Sequence, residues 1–177
     1  PPGLAAGLAG VPEGAVLTLP VTGLPRDTSP RIGRAHLLWQ PAHGRSISAT
    51  TDERGDAEAE RSLLVQLDVQ SRSRGRGAVE MRRWLETPDA RLRTCLRADA
   101  AALRARGFAA VVVVAALDPA PAFAPGITDA LGPPQVGPAG TRVWDLTGVP
   151  APDPAEVDAV GGSASCAPPS LSGPRPG

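Results

Sequence analysis

Gly107-Phe108-Ala109-Ala110-Val111-Val112-Val113-Val114-Ala115-Ala116-Leu117 is the stretch whose reading decides the fold. Four consecutive valines disfavour a helix, where each would lose side-chain freedom against the preceding turn, and favour a pleated strand. No polar residue alternates with the apolar ones. A strand over 108–117 must therefore be covered on both faces, as at the centre of an α/β sheet. Asp118-Pro119 ends it.

Immediately upstream, Thr87-Pro88 reads as a cap followed by a proline in the first helical turn, with Asp89 beside it. Leu92, Cys95, Leu96, Ala100 and Leu103 recur on one helical face. Arg104 and Arg106 suit the carboxyl end, and Gly107 suits the left-handed turn beyond it. Helix, tight turn, buried strand is an α/β unit.

Working outward, Ala15 to Leu19 reads as a short buried strand closed by Pro20. Ser29-Pro30 opens a helix whose face is Ile32, Ala35, His36 and Trp39, and Pro41 stops it near Gln40. Asp56 to Val69 reads as a second helix, with Glu58 and Glu60 in its first turns and Leu63, Leu64 and Leu67 as its stripe. Gln70 to Gly77 reads as a mobile low-complexity loop. Ala78 to Glu86 holds a short helix on Met81, Trp84 and Leu85. Ile127 to Leu131 is one more, closed by Gly132-Pro133-Pro134. Gln135-Val136 and Thr141 to Leu146 form a terminal hairpin. The expected fold is a single small α/β domain over residues 11–147, with a central, mostly buried sheet flanked by helices. Its expected core includes Val16, Leu17, Leu19, Trp39, Leu64, Leu96, Leu103, Val112, Val114 and Trp144. Residues 148–177 are dominated by Pro, Gly, Ser and Ala, lack a periodic apolar face, and read as a disordered tail.

Composition narrows the chemistry. The 177 residues include 20 glycines and 21 prolines, so much of the chain is loop, and the formal net charge is zero. That balance argues against nucleic acid as a partner. Lysine is absent, which excludes a Schiff base and a phosphate-loop lysine. The longest apolar run is ten residues, 108–117, whereas a spanning helix needs about 20. The chain opens on Pro1-Pro2-Gly3 without a signal-peptide pattern and reads as a piece of a longer or processed product. The favoured reading of the two cysteines is a buried thiol at Cys95 and a free thiol at Cys166; a disulfide tethering the tail is the alternative.

Reactive constellations are weak. His36 and His43 would need Asp52 or Glu53 to hold a metal, at a spacing that fits no zinc pattern, so no metal is expected. Gly161-Gly162-Ser163 does not follow a strand as a nucleophile elbow would. Gly75-Arg76-Gly77 lacks the dinucleotide fingerprint, and no cofactor is expected. Residues 71–106 hold 10 arginines against 4 acids, read first as a solvated face and second as a surface for a partner.

Several short segments fall in a distinctive order. These are Val16-Leu17-Thr18-Leu19-Pro20, Leu38-Trp39-Gln40 leading into His43-Gly44-Arg45 and Ile47, Gly107-Phe108 with its valines, Leu131-Gly132-Pro133-Pro134, and Val143-Trp144-Asp145-Leu146. In that order they resemble the soluble C-terminal domain of bacterial multi-pass membrane glycosyltransferases and related uncharacterised membrane proteins. The resemblance spans roughly residues 14–147. It implies a non-catalytic accessory domain on the extracytoplasmic face of the membrane. The membrane-spanning part of the same protein would be its partner and would carry the catalysis. The domain would help dock an acceptor, a lipid-linked sugar or a further partner. The candidate binding residues are Gln40, His43 and Arg45, with Arg45 suited to an anionic group. Two other readings stand beside it. One is a free-standing α/β ligand-binding module or enzyme, with a cleft at the carboxyl ends of its strands. The other is an interaction domain using the arginine-rich 71–106 face.

Overall fold

The computed structural model describes residues 8–19, 44–45, 62–72, 76–114, 124–137, 140–161 and 166. Its elements are β1 (Ala15–Leu19), α1 (Leu63–Arg72), α2 (Arg76–Glu86), α3 (Ala90–Ala105), β2 (Phe108–Val113), α4 (Ala124–Leu131), β3 (Gln135–Val136), β4 (Arg142–Asp145) and α5 (Pro154–Ala159). The sheet order is β1-β2-β4-β3. β1 runs parallel to β2, while β2–β4 and β4–β3 are antiparallel. This is the expected α/β domain with a mixed sheet.

The valine strand lies in the interior of the sheet, and every residue of β2 is buried. Its alternating side chains serve two separate cores. Phe108, Val111 and Val113 join Leu17, Leu19, Trp144 and Leu146 against the leucines of α1 and α3. Ala110, Val112 and Val114 face the other way and meet Val16, Val143, Leu8 and Val11. Covering both faces explains why the run needs no polar alternation. Each fully buried valine is worth about 1.5–3 kcal/mol relative to exposure. All the expected core residues are buried except Trp39, which lies outside the described residues together with the expected 30–40 helix.

The boundaries differ from expectation in ways with local causes. Thr87-Pro88 does not cap α3. The cap is Asp89, whose carboxylate accepts from the Leu92 N–H at 2.7 Å. Thr87 instead donates its hydroxyl back to the Arg83 carbonyl at 2.9 Å and closes α2. Gly107, at φ +90°, turns the chain from α3 into β2, and its N–H reaches the Arg104 carbonyl at 2.9 Å.

The second predicted helix starts later than expected. Ser62 is not helical and α1 begins at Leu63; residues 56–61 lie outside the described part. Its amino end is held from another helix. Asp99 of α3 accepts from the Ser62 hydroxyl at 2.7 Å and from the Leu64 N–H at 3.0 Å, satisfying a donor that a helix start leaves open. The expected 70–77 loop is also too long, because α1 runs on to Arg72 and α2 starts at Arg76.

The tail expectation is corrected over its described residues. Val149 is buried, and residues 154–159 form α5. Asp153 caps α5 and Glu156 completes a capping box. The favoured cysteine reading is corrected too: Cys95 and Cys166 form a disulfide, with Cα atoms 5.3 Å apart. Cys95 sits on the core face of α3, and α5 packs on that same helix, which brings the following chain back within reach.

Candidate functional site

The cleft begins with two arginines one helical turn apart. Arg93 and Arg97 of α3 are at i and i+4, so they share a face. Thr94 lies beside them. Across from them stand Asp129, Ala130 and Leu131 of α4, Asp145 at the end of β4, Val149 and Pro150 of the following link, and Glu156, Ala159 and Val160 in and after α5. Together they enclose an open cleft of about 740 Å³. That volume lies within the usual range for small-ligand sites.

The charged groups are partnered singly. Arg93 Nη1 donates to Asp129 Oδ2 at 3.1 Å, and Arg97 Nη1 donates to Glu156 Oε2 at 3.2 Å. The first pair is exposed by 45% and 41%, the second by 26% and 48%. Glu156 Oε2 also accepts from the Asp153 N–H at 3.3 Å, so one carboxylate both closes the capping box and docks α5 on α3. The third carboxylate, Asp145, accepts through one oxygen, Oδ1, from the Thr147 N–H at 2.8 Å and the Thr147 hydroxyl at 2.6 Å. Arg104 ties down the root of the link by donating to the Val149 carbonyl at 2.8 Å.

The cleft offers hydrogen-bonding charge. Among the described residues no Ser, Cys or His lines it, while the Thr94 hydroxyl and the carboxylates of Asp129, Asp145 and Glu156 do. Among the described residues no three His, Cys, Asp or Glu side chains group as a metal site. The arrangement presents donors and acceptors to a ligand, with no imidazole or thiol in its lining among the described residues.

Of the sequence-predicted site residues, only Arg45 is described, and it does not line this cleft. Gln40 and His43 lie outside the described residues. Arg45 is described, and its guanidinium donates to the carbonyls of Pro12, Leu8 and Val11 at 2.5–3.1 Å. It fastens the segment whose Leu8 and Val11 cover the second face of the sheet.

The cleft itself escaped sequence reasoning because its parts come from four distant places, 90–97, 129–131, 145–150 and 156–160. Two signals were present. The Arg93/Arg97 spacing marks a shared helix face, and Asp153-Pro154-Ala155-Glu156 has the spacing of a capping box, which marks a helix start.

Asp99 is the one described group whose titration is clearly displaced. Burial pushes its carboxyl above the ordinary 3.8, against smaller opposing effects of the hydrogen bonds from Leu64 and Ser62 and the positive charge of Arg106. It supports α1 and is not part of the cleft.

Fold and cleft define a class: a small mixed-sheet α/β domain, cross-linked by a disulfide, with a cleft lined by two ion pairs. None of its described helices is long and apolar enough to cross a membrane. No known protein family, curated protein or solved structure matches the chain.

Proposed function

We propose that this chain is a non-catalytic extracytoplasmic accessory domain of a membrane glycosyltransferase-like protein, docking an acceptor, a lipid-linked donor or a partner near the membrane-embedded catalyst. The Cys95–Cys166 disulfide carries the reading. Disulfides persist in oxidising compartments and are rare in the cytosol. The lining of the cleft supports a docking role, since it holds donors and acceptors side by side.

Those of the kinship segments that are described fall in regular elements or their turns, while Leu38–Gln40, His43 and Ile47 lie outside the described residues. Val16–Leu19 and the valine strand are the parallel pair, Gly132 follows α4, and Val143–Leu146 forms and extends β4. The free-standing enzyme reading expects a cleft at the carboxyl ends of the parallel strands. The cleft found here is at the other end, because its Asp145 pairs with Ala110 near the start of β2. The arginine-rich interaction face is weakened because Arg82, Arg93, Arg97 and Arg104 each hold an intramolecular partner.

The test is to trap thiols in intact host cells with a membrane-impermeant maleimide, before and after reduction, on the natural full-length product. Labelling of both cysteines from outside, after reduction alone, supports the reading. Cysteines that are already reduced and reachable only after lysis overturn it.

A further inference from the structure

We infer that the cleft between α3, α4 and α5 binds a neutral polyhydroxylated ligand, a saccharide or glycoside. The assignment deepens the docking role proposed above and rests on it for its biological setting. The chemistry comes from the way the charges are paired.

Arg93 and Asp129 meet through a single contact, and so do Arg97 and Glu156. A guanidinium carries several N–H donors in a planar fork, and an ionised carboxylate can accept on both oxygens. Each pair therefore neutralises its charge while leaving donors and acceptors that no described residue takes up. Asp145 adds another acceptor, since both bonds from Thr147 fall on its Oδ1. A sugar hydroxyl both donates and accepts, and neighbouring hydroxyls on a ring match alternating acceptors and donors. Between the charged groups, Ala90, Ala130, Leu131, Val149, Pro150 and Ala159 give small apolar ground for the C–H face of a ring.

A charged ligand fits less well. An anion could reach the spare arginine donors only against repulsion from an excess of carboxylates in the lining. A cation would compete with the arginines already in place. A neutral polyol uses the spare valences and leaves both ion pairs intact. Without an aromatic ring in the lining to stack on, its affinity falls in the weak range typical of single sugars.

The experiment uses the oxidised full chain and saturation-transfer NMR. The probes are methyl glycosides of mannose, glucose and galactose, with inorganic phosphate and spermidine as charged comparisons. The expected result is saturable binding of at least one glycoside, little changed by added salt because the ligand is neutral. Arg97→Met and Asp145→Asn should each weaken it about tenfold by removing hydrogen bonds to a charged group. Ala159→Phe should block it sterically; Ala159 is exposed, so that variant keeps the fold even where the others lose stability. Binding of phosphate or spermidine without any glycoside overturns the assignment. So does binding of no probe, or glycoside binding that all three variants leave unchanged. Reduced, cytoplasmic cysteines in the cell-labelling experiment would refute the extracytoplasmic reading while leaving glycoside binding to stand or fall by its own result.

Discussion

Replacing Cys166 by serine isolates the contribution of one covalent link. The disulfide joins positions 71 residues apart. In the chain-entropy picture, closing a loop of that length removes about 4 kcal/mol of freedom from the unfolded state. Cys166→Ser leaves Cys95 as a thiol in the core, where it is 2% exposed, and opens no cavity there. Part of the loss is returned in the folded state. Once released, α5 is held by the Arg97–Glu156 pair, whose carboxylate is 48% exposed, and such pairs contribute about 0–1 kcal/mol. No residue of α5 is buried, so the helix frays and regains entropy. The expected net loss is therefore about 2–4 kcal/mol, or roughly 5–15 °C in Tm for a chain of this size. Urea unfolding of the oxidised protein and of Cys166→Ser measures it, and hydrogen exchange at 154–159 reports the local release. A thiol assay on unreduced, denatured wild type should find none free. Two free thiols there, or equal urea midpoints with unchanged exchange in α5, would refute the reasoning.

Asp99 gives a pH signature of definite sign. Because burial raises its pKa in the folded state, its contribution to stability is fully present below the ordinary 3.8 and is lost as pH rises through the raised value. The stability of wild type relative to Asp99→Asn should therefore fall as pH rises from 3.8 through the raised value and level off above it; a constant or rising difference in chemical denaturation across the range contradicts it. Gly14→Ala should destabilise by about 1–3 kcal/mol through overpacking. The added Cβ would lie 2.8 Å from the Ala109 Cβ and 2.9 Å from the Gly107 carbonyl oxygen, both on or beside the rigid central strand. Thermal denaturation checks it, and a Tm within error of wild type would show that the β1–β2 edge can give way.

Local chemistry was legible where one segment contains its own reason. The valines of β2 resist helix and the face from Leu92 to Leu103 repeats at helical spacing, so strand and helix follow without knowledge of their neighbours. Trp144, an expected core residue in the terminal hairpin, is buried with its indole N–H donating to the Gly132 carbonyl at 3.0 Å. The Thr87-Pro88-Asp89 run shows the limit of that reading. Either Thr87 or Asp89 can cap a helix, and the choice follows from which orphan backbone group each side chain reaches.

Long-range partners were beyond the residues' own pattern. Asp99 looks like any polar residue on α3 until the start of α1 is brought against it, 35 positions away in sequence. Arg45 suits an anion by its chemistry, yet its donors are taken by three carbonyls more than thirty positions upstream. The cleft is the extreme case, since its arginines, carboxylates and floor come from separate elements. The sequence by itself determined that a wholly apolar strand had to be covered on both faces, because hydrophobic burial and backbone preference act within a few residues. Tertiary structure alone decided that Cys166 returns to Cys95, that Glu156 meets Arg97 and that a polar cleft opens between them, because those contacts depend on how distant elements pack and not on any local preference.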